Sequence, residues 1–176
     1  MINTKTPSIM KKKVISMVMC STLLVALFSA CNRDITGCTD SNADNYASKA
    51  NKNADCRYRY ASNIDISGVS STRPDGTAWD AGDNPDVKVN FGKKSSSGYS
   101  YSTNTASNAS SSSTVTPSST VKFSNEDWKY EIVDVDALGN EVMSTGIFNP
   151  ITDVVTDNTI TVINNGITIK FKYTIQ

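Results

Sequence analysis

The chemistry open to this chain rests on two pairs of aspartates. Asp134 and Asp136 follow the run Trp128-Lys-Tyr-Glu-Ile-Val133 and precede a Gly139-Asn140 turn and Glu141. Carboxylates at i and i+2 of an extended chain project to the same side. Side by side they repel unless a cation lies between them. Asp80 and Asp86 flank a second turn, Ala-Gly-Asp-Asn-Pro, which leads into the alternating run Val87-Lys-Val-Asn-Phe91. Carboxylate oxygens on loops and strand ends suit calcium, a hard cation with oxygen ligands. Surface aspartates at solvated strand ends are the other reading of both pairs.

Other chemistries are excluded by what the chain lacks. It contains no His, which removes imidazole acid–base catalysis, Ser-His and Cys-His nucleophiles, and nearly all zinc sites. Paired carboxylates also serve glycoside hydrolysis, but here no aromatic groove accompanies them beyond Trp79. The chain is therefore expected to be non-enzymatic. No Asp-x-Asp-x-Asp-Gly run is present, so the acids do not form an EF-hand loop.

The elements that position these acids read as strands. Trp128, Tyr130 and Ile132 alternate with Lys129 and Glu131, the pattern of a half-buried strand. Alternating or apolar runs recur at Ile64–Val69, Val87–Phe91, Tyr99–Tyr101, Val121–Phe123, Ile147–Phe148, Thr159–Ile163 and Ile167–Ile175. Pro74-Asp-Gly76 and Asp83-Asn-Pro85 are turn signals, and Asn164-Asn-Gly166 is a hairpin signal. Almost no helical period occurs. Eight short strands predict an all-β, eight-stranded antiparallel β-sandwich over residues 63–176. Residues 102–119, mostly Ser, Thr, Asn and Ala, are expected as a disordered loop within it.

The N-terminal side reads differently. Lys11-Lys-Lys13 followed by the apolar run Val14–Leu27 has the make-up of a signal peptide over residues 1–30. Leu27-Phe-Ser-Ala-Cys31 resembles a bacterial lipoprotein cleavage box, in which Cys31 becomes the lipidated first residue of a tether, 31–36. Asn32 follows, rather than the Asp associated with inner-membrane retention, so the resemblance implies an outer-membrane, lipid-anchored chain. Four of the 17 bases lie in residues 1–30 and none of the 17 acids does, leaving 13 bases against 17 acids. That mildly acidic balance argues against nucleic acid as a partner. Cys20 leaves with the signal and Cys31 is used by lipid. Cys38 and Cys56 remain as an even pair in an oxidising compartment, which predicts a disulfide between them.

Two further resemblances concern the mature chain. Gly37-Cys-Thr-Asp-Ser-Asn-Ala-Asp-Asn-Tyr46 and Ala50-Asn-Lys-Asn-Ala-Asp-Cys-Arg-Tyr58 resemble a short repeat of Bacteroidetes surface proteins. This implies a disulfide-stapled spacer over 37–60. Asp80 and Asp86-Val-Lys-Val89, together with Asp134-Val-Asp136-Ala-Leu-Gly139, resemble the first and third loops of the C2 domain, a calcium-dependent β-sandwich. That resemblance implies a calcium site of Asp80, Asp86, Asp134 and Asp136, with Glu141 as a fifth ligand, and an envelope protein, lipid or glycan as partner.

Overall fold

The computed structural model describes residues 33–176 other than Val154. The expected signal peptide and the expected lipidation site, Cys31, lie outside the described residues. The described residues form eleven strands. These are β1 (Thr36–Gly37), β2 (Lys52–Asn53), β3 (Arg59–Ser67), β4 (Val87–Lys93), β5 (Tyr101–Ser102), β6 (Ser112–Val115), β7 (Trp128–Asp134), β8 (Glu141–Phe148), β9 (Val155–Thr156), β10 (Thr159–Asn164) and β11 (Ile167–Ile175). Nine of them build a sandwich: a five-stranded sheet of order β6-β3-β11-β10-β9 and a four-stranded sheet of order β5-β4-β7-β8. All pairings within both sheets are antiparallel. β1 and β2 form a separate small parallel pair.

Period-two alternation supplies the core. Along β4, Val87, Val89 and Phe91 are buried, and along β7, Trp128, Tyr130 and Ile132 are buried. Facing them from the other sheet are Ile64, Ile66, Ile169 and Phe171. Trp128 is the hub of an aromatic cluster, edge-on to Phe123 at 5.2 Å and stacked on Tyr101 at 5.9 Å. Phe148 and Phe171 stack across the sandwich at 4.2 Å. Aromatic pairs in such arrangements add about 0.5–1.5 kcal/mol each beyond their area burial.

The hairpin signal is realised as expected. Asn164 pairs with Ile167, so Asn165 and Gly166 form a two-residue loop, and both have positive φ, 51° and 76°. This twist matches that of the flanking strands.

The Ser/Thr-rich stretch differs from expectation. Residues 112–115 form β6, which pairs with β3 from Ile64↔Val115 to Ser67↔Ser112. The Thr114 hydroxyl donates to Asp65 at 2.8 Å, and Thr103, Ala109 and Val115 are buried. A strand at a sheet edge needs few apolar side chains, because its backbone pairs on one side only. Composition alone therefore hid it. Val121–Phe123 shows the converse. Its apolar residues are buried, but one bridge, Tyr60↔Lys122, ties it to β3.

Cys38 and Cys56 form the disulfide, with Cα atoms 5.0 Å apart. The stapled segment is docked on the sandwich. Arg59 bonds Asp44 at 2.7 Å, the Tyr58 hydroxyl donates to Asp40 at 2.8 Å, and the Asn125 N–H donates to Asn42 at 2.8 Å. Lys122 lies over the Tyr58 ring at 3.1 Å. These contacts gather at the start of β3 and the end of β11. The loops bearing the four aspartates lie at the other end.

Tyr130 faces Gly146 of β8 in register. A Cβ on Gly146 would fall 2.6 Å from the Tyr130 ring. Gly146→Ala is expected to push that ring out of its place and cost about 1–3 kcal/mol. Chemical denaturation would check this, and an unchanged midpoint would mean that the ring moves aside freely.

Candidate metal centre

β7 positions the centre. Its inward positions run Trp128, Tyr130, Ile132, and the same phase continues to Asp134, its last residue. Asp134 is fully buried at the rim of the core. It pairs in register with Val87, the first residue of β4. That pairing draws the loop before β4 against the loop after β7. The Asp86 N–H donates to Asp134 Oδ1 at 2.8 Å, and the Val135 N–H donates to the Asp86 carbonyl at 2.8 Å.

The other oxygen, Asp134 Oδ2, is buried without a hydrogen-bond partner. Such an atom is costly, because it has lost water without gaining a hydrogen-bond partner in its place. Asp80 and Asp136 stand beside the same side chain: one carboxylate oxygen from each of the three residues lies within 4.8 Å of the others. All three donors are hard oxygens, suited to Ca²⁺ or Mg²⁺ rather than to softer metals.

The charges oppose one another. Burial holds the Asp134 carboxyl above the usual carboxylate range; Asp136, Asp86 and Glu141 push the same way, and the Asp86 N–H opposes them. Asp80 is also raised, first by desolvation and then by Asp134, Asp136 and Asp86. A divalent cation would reverse this balance for each group.

Asp86 and Glu141 stand apart from the triad. Asp86 Oδ1 accepts the Asn108 N–H at 2.8 Å. With Asp80, Asp83, Asn84, Ser107 and Asn108, Asp86 lines an adjoining surface depression. Glu141, expected as a fifth ligand, is paired instead with Arg73, whose Nε donates to its carboxylate at 2.9 Å. The pairing has a geometric cause. Glu141 is the first residue of β8, opposite Asp134 in register, and Arg73 reaches it from the loop between β3 and β4.

Asn108 and Arg73 were not among the expected site residues. Asn108 lay in the stretch expected as a loop. Its positive φ of 52° is a conformation that Asn tolerates better than most residues, which is the one sequence signal it carried. For Arg73 the sequence holds no such signal. No known family model matches the chain, and no curated protein matches it.

A folded-state pKa above the unfolded value means that the native state binds more protons. The stability linked to Asp134 is therefore complete below the ordinary carboxylate range and is lost as pH rises from that range through the raised folded-state value. Asp134→Asn keeps an oxygen for the Asp86 N–H and removes the charge. Without metal, this variant is expected to melt above wild type at about pH 7, with the gap closing toward about pH 4. Equal melting temperatures at neutral pH would show that the buried charge carries no cost.

Proposed function

We propose that this chain is a membrane-anchored lipoprotein whose sandwich is a C2-like calcium-binding module. In this reading it is non-enzymatic and serves binding or adhesion at the cell envelope, at the outer membrane, with a protein, lipid or glycan as partner. The observation that carries the metal reading is the buried Asp134 carboxylate, whose Oδ2 has no partner and which clusters with Asp80 and Asp136. Three carboxylates converging from a strand end and two loops, one of them buried, are stabilised by a cation and destabilised without one. Loop carbonyls and water would complete the shell, and the loose loop geometry favours calcium over magnesium, which demands a tight octahedron. With three carboxylates and no rigid cage, the affinity belongs to the weak class, on the order of 10⁻⁴–10⁻³ M.

One observation favours a structural sandwich with a vestigial site. Asp134 Oδ1 already accepts the Asp86 N–H, and that bond joins the two loops without a metal.

Calorimetric titration of the full chain in detergent separates the two. Calcium is expected to bind in the range above, and at about ten times Kd to add about 1.4 kcal/mol of stability. Asp136→Asn is expected to weaken binding roughly tenfold. Absence of heat up to about 10⁻² M calcium, or an Asp136→Asn protein that binds as tightly as wild type, would leave the structural reading.

The anchor rests on Lys11–Lys13, the apolar run after them and the small residues before Cys31. More than one acyl chain gives stable anchoring where one does not. Cells fed radioactive palmitate are expected to label the wild-type chain and not Cys31→Ser. Equal label in both would remove the lipid anchor from the reading.

A further inference from the structure

We infer that Arg73 is a positioning residue for the metal centre. It clasps the loop that bears Asp80 to the start of β8 and holds Glu141 out of the metal shell. The inference rests on the metal reading proposed above.

Arg73 lies seven residues before Asp80, in a loop closed on itself by the Thr72↔Ala78 bridge and by the Arg73 N–H to the Thr77 carbonyl at 2.7 Å. Its guanidinium is the point where that loop meets the rest of the site. Nη1 donates to the Ala78 carbonyl, and Nη2 to the Trp79 carbonyl at 3.3 Å. Nε and Nη2 both donate to Glu141 Oε2. The guanidinium also lies over the Trp79 ring, 5.0 Å from its centroid. Ala78 and Trp79 are the two residues before Asp80, so one planar cation fixes the backbone leading into a triad member. It fixes it to Glu141, which is paired with Asp134, another triad member. A guanidinium suits this task because its rigid fork of donors can satisfy carbonyls and a carboxylate together, which an ammonium cannot do in the same geometry.

The same contacts give Glu141 a structural role. Oε2 accepts two donors from a full positive charge, and using Glu141 as a ligand would require breaking both. Partners that orient metal ligands without touching the metal commonly affect affinity about 10–100-fold when removed.

The test is calcium titration of six full-chain proteins in detergent: wild type, Asp80→Asn, Asp136→Asn, the double variant Arg73→Ala/Glu141→Gln, and that double variant with Asp80→Asn or with Asp136→Asn added. The double variant removes one positive and one negative charge, so net charge near the centre is unchanged and any loss is positional. It is expected to bind calcium about tenfold more weakly than wild type. Asp80→Asn alone is expected to cost about tenfold, but less than about twofold when added to the double variant, because Asp80 is no longer held in place. A general loss of folding would not single out Asp80. Asp136→Asn in the double variant is expected to keep its full cost. A double variant that binds as wild type, or an Asp80→Asn cost undiminished within it, would overturn the positioning role alone. A wild-type chain that takes up no calcium would overturn the metal reading and this inference with it.

Discussion

A carboxylate sits at the last inward position of the strand that carries the aromatic hub. Trp128 and Asp134 share one face of β7, so the alternation that buries the indole also buries the acid. Moving Asp134 outward by a register slip would carry Trp128, Tyr130 and Ile132 out with it. The core is thus tied to a local electrostatic cost. One N–H, from Asp86, offsets part of that cost. The same bond sets where the loop before β4 must lie. Asp80 and Asp136 then arrive from either side, and the charge that the fold has to tolerate becomes a cluster.

Seen from that cluster, the two ends of the sandwich have opposite characters. At the start of β3 the acids are satisfied: Asp44 by Arg59, and Asp40 by the Tyr58 hydroxyl and by Asn42. Asp40 is held below the usual carboxylate range, first by the Asn42 N–H. At the other end Asp80 and Asp134 are held above it. Arg73 brings a positive charge to the acid end, and it is engaged with Glu141 and with loop carbonyls.

The fold was legible where side chains alternate. The all-β sandwich, the central β7, the Asn165-Gly166 hairpin loop and the Cys38–Cys56 bridge all followed from residue pattern. Within the sandwich, the strands that escaped were β6 and the two-residue β9, both at edges of the five-stranded sheet, where backbone pairing does the work that apolar side chains do elsewhere; the small β1–β2 pair escaped as well. Of the site, Asp134 and Asp136 were legible because carboxylates at i and i+2 of an extended chain project to one side, and Asp80 because it opens the turn that leads into β4. Glu141 was misleading for a physical reason. Its position in the chain fits a ligand, and only the tertiary approach of Arg73, 68 residues earlier, shows that its charge is already taken. Nothing local to either residue encodes that meeting.

The docked N-terminal segment has a mechanical meaning. Without its crosslink, the stretch from Cys38 to Cys56, a separation of 18 residues, could pay out about 60 Å when pulled. Closed by the disulfide, it has no such slack to give. Tension applied from the N-terminal side would pass almost directly into Arg59, the first residue of β3. If the load at the far end is taken by the loops that follow Ser67, β3 is pulled along its own axis. It is bracketed by β11 and β6, so the two ladders would be loaded in shear and would have to yield together rather than unzip one bond at a time.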